Sequence, residues 1–135
     1  MFLAPLQMKY FFMKKFIPFL AFAFVAFTTQ PDTEGLVNAL KAGNAAQVAN
    51  YFDTYIDLTL PSKEEIKNIG KNQAAITLQS FFTEGNIKGF DLSSQREAGA
   101  TMYITGKLQG SKPYNITILL KNKDGKHSIT SIRIN

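Results

Sequence analysis

The chain contains no cysteine. That excludes disulfides, thiolate metal sites, a cysteine nucleophile and the lipid-modified cysteine of a bacterial lipoprotein. Histidine is nearly absent as well: His127 is the single one, so no histidine-pair metal motif can form. No metal site and no cofactor is expected. Glycine-rich phosphate loops, serine-nucleophile motifs and calcium loops are missing too. Strong charge of one sign is only superficially present. The chain carries +5, but setting aside Lys9, Lys14 and Lys15 leaves 12 basic against 10 acidic residues. A balance near +2 is ordinary solubility and not the footprint of a nucleic-acid binder.

Long apolar runs occur only at the N-terminus. Lys14 and Lys15 precede an uncharged stretch from Phe16 to Phe27, and small polar residues follow. That is the layout of a cleavable export signal. The stretch is shorter than the about 20 residues a membrane-spanning helix needs. Met1–Phe12 is apolar too, so a retained anchor is the alternative, opposed by the lysines that interrupt it; a buried helix of the fold is a third. Met13 stands directly before the lysine pair, so the expectation is that translation starts there and 1–12 is a mis-called start extension. The expected division is a signal peptide over 1–30, cut between Thr29 and Thr33, and one domain over 31–135. The expected location is periplasmic or secreted, with membrane contact only through an uncleaved signal. At 135 residues the chain has room for one core. Without disulfides, that core alone must hold the domain.

Asp32 and Thr33 are N-cap types, and Leu36, Val37 and Leu40 follow at helical spacing. Gly43-Asn44 ends this helix. A second short helix follows, with Val48, Tyr51 and Phe52 on one face. Tyr55–Leu60 alternates as a half-buried strand stopped by Pro61. Ser62-Lys63-Glu64-Glu65 reads as a capping box opening a short turn of helix. A longer helix from Asn72 turns Ala75, Leu78, Phe81 and Phe82 to a core, and Gly85-Asn86 closes it. Strands are expected over Ile87–Gln95, Thr101–Gln109, Tyr114–Asn122 and His127–Ile134. Asp124-Gly125 supplies the positive φ angles of a tight hairpin. Gly106, inside a strand, marks a bend or bulge, or simply weak packing. Helices first and strands last is the α+β pattern: a cone-like curved antiparallel sheet wrapped around a long helix, with two short N-terminal helices.

Ala39-Leu40-Lys41-Ala42-Gly43-Asn44, then Val48 to Phe52, resembles the opening of ketosteroid isomerases and polyketide cyclases. Gly70-Lys71 leading into Ile76, Leu78, Phe81 and Phe82 resembles the third helix of the nuclear-transport-factor-two-like (cystatin-like) superfamily, and Ile129-x-x-Ile132-Arg133-Ile134 its closing strand. The resemblance covers Glu34 to Asn135. It implies the α+β cone. More specifically, size, signal and sequence resemble DUF4783, a group of exported proteins from Bacteroides-type bacteria. That likeness implies fold and compartment and no activity.

The isomerase resemblance implies an oxyanion-binding Tyr in the first helix and a base Asp before the Pro that ends the first strand. Leu36 and Leu60 stand there, and Leu neither donates to an oxyanion nor accepts a proton. Each of the other candidate residues has a plainer role open to it as well. His127 is an acid or base, or an exposed residue beside a turn, and the turn is favoured. Asp53 and Asp57 are a carboxylate pair, or a cap and a solvated strand face. Tyr51, Tyr55, Tyr103 and Tyr114 rim a ligand pocket, or are core and surface residues. Lys121, Lys123 and Lys126 contact an anion, or form a solvated turn.

The reading that follows is an exported, non-enzymatic binding or interaction domain, with no catalytic residues assigned. A small apolar or amphipathic ligand would sit in a cone cavity lined by Phe52, Leu78, Phe82, Met102, Ile104, Ile116 and Ile118, with Tyr55, Asp57 and Tyr103 as polar groups. Side chains filling that cavity are the other outcome. The alternatives are a small enzyme of the isomerase/cyclase type using Asp57, a Tyr and His127, or a homodimeric envelope assembly protein using the outer sheet face, where Tyr103 and Leu119 lie.

Overall fold

In the computed structural model, which describes residues 31–135, two chain corners set the helices. The expectations for 1–30 (signal, anchor or start extension) lie outside the described residues. Helix α1 (Pro31–Lys41) buries Leu36, Val37, Ala39 and Leu40. It ends as a Schellman motif: Asn44 N donates to Ala39 O and Gly43 N to Leu40 O, both at 3.0 Å. Gly43 takes φ +67°, and a Cβ there would also run into the Ile87 carbonyl. Asn44 then caps helix α2 (Ala45–Ala49), its Oδ1 accepting from Gln47 N at 3.1 Å. Helix α3 (Lys71–Glu84) turns Ala74, Leu78 and Phe82 inward at helical spacing. It ends the same way: Ile87 N donates to Phe82 O and Asn86 N to Thr83 O, with Asn86 at φ +54°. Asn tolerates that left-handed position better than most residues.

Six strands form one curved, unclosed sheet in the order β2-β1-β6-β5-β4-β3. They are β1 (Phe52–Thr59), β2 (Ile66–Gly70), β3 (Gly89–Ala98), β4 (Thr101–Gln109), β5 (Tyr114–Lys123) and β6 (Lys126–Ile134). Every neighbouring pair is antiparallel except β1 and β6, which run parallel. Asp124 and Gly125 turn the last hairpin at φ +54° and +81°, the doubly positive pair such a turn requires. One face of β4, β5 and β6 carries Met102, Ile104, Leu108, Ile116, Ile118, Leu120, Ile129, Ile132 and Ile134, all buried against α1, α2 and α3 side chains in one cluster. The α+β cone is thus the observed architecture.

Two expectations need correction. Ser62–Glu65 opens no helix. Ser62 sits at φ +62° in a turn, and the following residues form β2, paired with β1 through Ile56↔Ile69 and Leu58↔Ile66. The sheet-edge pairing outweighs the local capping signal. Phe52 does not close the second helix but starts β1, because Ile129 N donates to Tyr51 O at 2.7 Å and brings the chain beside β6. In α3, the expected Ala75 and Phe81 pack partly buried against the core, and Ala74 joins Leu78 and Phe82 as a fully buried residue.

Gly106 is a bulge site. Leu92 pairs with Gly106 and Ser94 with Thr105, which leaves Ser93 extra on β3. A Cβ on Gly106 would collide with the Asp91 carbonyl and the Phe90 ring. Gly106→Ala should therefore lower the urea unfolding free energy by about 1–3 kcal/mol, the usual cost of overpacking. Gly70→Ala, which meets open space, should cost under about 1 kcal/mol.

Candidate functional site

The Ser93 bulge decides which β3 residues face the helices. Before it, Phe90 and Leu92 lie opposite Leu108 and Gly106 on the inner face. After it the parity flips, so Gln95 lies opposite Ile104 and Glu97 opposite Met102, again on the inner face. Gln95 Nε2 reaches Thr33 Oγ1 in the first turn of α1 at 3.3 Å and Met102 Sδ at 3.7 Å. Glu97 Oε2 lies 3.4 Å from Nε2 of His127, the second residue of β6. Thr33 and His127 are buried, while Glu97 is 44% exposed. The Tyr51 hydroxyl packs against Gly35 on the same helix turn, where any Cβ would overlap it.

A hydroxyl, a carboxamide, a carboxylate and an imidazole thus gather where α1 begins, between β3 and β6. The carboxylate–imidazole contact orients both groups, and together they can hold a ligand hydroxyl or carbonyl or exchange a proton with it. The expectation that His127 is an exposed turn residue is corrected: it shares the inner face with Ile129 and is 8% exposed. Among the described residues no cluster of three or more His, Asp or Glu could hold a metal.

The seven apolar residues expected to line a cavity come together, but as core. Phe52, Leu78, Phe82, Met102, Ile104, Ile116 and Ile118 are 0–6% exposed and belong to the one packed cluster. The three expected polar groups do not join them. Tyr55 and Tyr103 are exposed at 57% and 38%. Asp57 accepts from Asn68 N at 2.8 Å, where Asn68 adopts φ +57° in β2, so its carboxylate stabilises that turn of backbone. Tyr55 and Asp57 alternate with the buried Ile56 and Leu58, which puts them on the outer face. Tyr51 and Tyr114 are half-buried against the core.

Asp53 and Asp57 both lie on β1, so neither caps a helix. Asp53 instead accepts from Lys123 Nζ at 2.8 Å, tying β1 to the hairpin where Lys121 and Lys126 also lie. Gln95 and Glu97 were not singled out from sequence, and Thr33 was read only as an N-cap residue, whereas it lies within α1. Gly106 was the only cue to the bulge that turns the first two inward.

The Lys123 hydrogen bond, and then that of Thr54 N, hold the Asp53 carboxyl below its ordinary 3.8. A depressed folded-state value stabilises the fold above the unfolded value and is lost as pH falls through the folded one. The pair is partly exposed, so Asp53→Asn should cost no more than about 1 kcal/mol at neutral pH. The gap between variant and parent urea midpoints should close as pH drops below about 4.

Residues 33–135 match the family described as Domain of unknown function (DUF4783). No curated protein matches the chain. Among solved structures, a DUF4783 family protein from Bacteroides uniformis is similar at 23% identity and TM-score 0.70, over 76% of this chain and 94% of that one. One from Bacteroides fragilis is 24% identical at TM-score 0.66, over 74% and 93%. An NTF2-like protein of unknown function from Cytophaga hutchinsonii shares 14% identity at TM-score 0.55, over 80% and 88%. These likenesses agree with the α+β cone built above, and the match over nearly the whole described segment places the chain in the DUF4783 family.

Proposed function

We propose that this protein is an exported, non-enzymatic binding domain that takes an amphipathic ligand at the α1 end of its cone. The supporting observation is the inner face of β3. Leu92 is 43% exposed there, and Gln95 and Glu97 follow along the same face. An apolar group and two hydrogen-bonding groups in one line suit a ligand with a hydrocarbon body and a polar head. The deeper interior is packed with hydrocarbon, which favours this rim over a buried chamber. Export rests on Lys14-Lys15 and the uncharged stretch Phe16–Phe27.

The Glu97–His127 contact supports a second reading, an acid–base enzyme. Leu36 and Leu60, at the positions where the isomerase resemblance requires Tyr and Asp, weigh against that type of chemistry. Native mass spectrometry of the protein purified from its own cell envelope tests the proposal. A co-purifying small molecule, lost in the double variant Gln95→Leu, Glu97→Leu, is the expected outcome. A clean unliganded mass, or recovery only from the cytoplasmic fraction, would overturn it. Turnover of the bound molecule that stops in His127→Gln would establish the enzymatic reading instead.

A further inference from the structure

A concavity lies at the end of the strands opposite Gln95 and Glu97. Thr101↔Lys121 marks the Glu97 end of β4 and β5, and Leu108↔Tyr114 marks the other. Around Tyr114 the turn after β1, the C-terminal half of α3 and the loop before β5 enclose a groove of about 390 Å³. That is within the roughly 300–1,000 Å³ of small-molecule sites.

Its lining is chemically mixed in a specific way. Phe81 and Tyr114 form an aromatic wall, packed edge to face with centroids 5.1 Å apart. Lys112 holds its ammonium 5.5 Å from the centre of the Tyr114 ring. Lys63 lies in the turn across the groove, next to Ser62, whose φ of +62° is unusual for a non-glycine residue. Glu84 lies on the α3 wall. Two ammonium groups and one carboxylate leave a balance of one positive charge.

We infer that this groove binds a singly charged acidic sugar residue, a uronate. The apolar C–H face of a sugar ring packs on an aromatic wall, and its carboxylate accepts from Lys63 or Lys112. Its hydroxyls donate to Glu84 and exchange hydrogen bonds with the Ser62 hydroxyl. A multiply charged phosphate would face the Glu84 carboxylate. A lipid chain would find little apolar lining, only Leu60, Pro61 and the two rings among polar and charged side chains. This site does not depend on the rim occupied by Gln95 and Glu97.

The test is an amide-resonance titration of the purified protein with three probes: a tetrasaccharide alternating glucuronate and N-acetylglucosamine, the neutral N-acetylglucosamine tetramer, and inorganic sulfate. The acidic tetrasaccharide should shift the Lys63, Tyr114 and Lys112 amides and bind roughly tenfold tighter than the neutral one. Lys63→Gln and Lys112→Gln, both at exposed positions, should each weaken it about fivefold, the scale of one charge-assisted contact. Equal binding of the neutral sugar, equal shifts with sulfate alone, no shifts at all, or no effect of the lysine variants would each overturn the assignment.

Discussion

The shape of this sheet turns on one backbone-to-backbone approach, Gly106 against the Asp91 carbonyl. Only a residue without a Cβ lets β3 come so close, and the closeness admits the extra Ser93. A bulge bends a strand and raises its twist. Here it also reverses the alternation of everything beyond it. Without the bulge, Ser94 and Arg96 would occupy the inner parity. With it, Gln95 meets Thr33 and Glu97 meets His127. A single missing methyl group therefore connects the curvature of the fold to the chemistry of its rim.

The helices are fastened to that curved sheet by backbone more than by charge. Gly43 closes on the Ile87 carbonyl. Ser111 N donates to Gly85 O at 2.8 Å, and Lys88 N to Gln109 O at 2.8 Å. The ends of α1 and α3 thus meet the β4–β5 turn at one corner. Such contacts rigidify the base of the cone without a disulfide, which this chain cannot make. The apolar cluster supplies the driving force, and the paired backbone groups make its geometry unique. The aromatic groove and the polar rim sit at the two ends of this scaffold, each on elements the core already holds still.

Much of this could be read from the residues. Gly43-Asn44 and Asp124-Gly125 have conformational needs that few other pairs meet, and both stand where expected. The alternation of Met102, Ile104 and Leu108 is strict because β4 has β3 on one side and β5 on the other, with one face buried. β2 was hidden because its residues are mostly exposed and its pairing partner supplies the order. Such an edge strand leaves little hydrophobic pattern to find. His127 was obscured by its polarity and its neighbouring turn, although its parity with Ile129 pointed inward. Gln95 and Glu97 were obscured because a bulge changes parity without changing composition. The outward Tyr55 and Asp57 carry the opposite lesson: chemically capable side chains on a strand face the core only when they share its register.

The parallel pairing of β1 with β6 has a consequence for the order of events in folding. Phe52 and Ile129, direct partners, are roughly 75 residues apart, a costly closure for a small domain. β6 lies between β1 and β5 in the sheet, so before it arrives β1 and β2 have no connection to the other strands. A chain emerging from the ribosome can form α3 and the β3–β4–β5 meander early, but it cannot seal its hydrophobic face. Completion waits for the last strand, and loss of that strand alone would separate the sheet into two pieces rather than trim its edge.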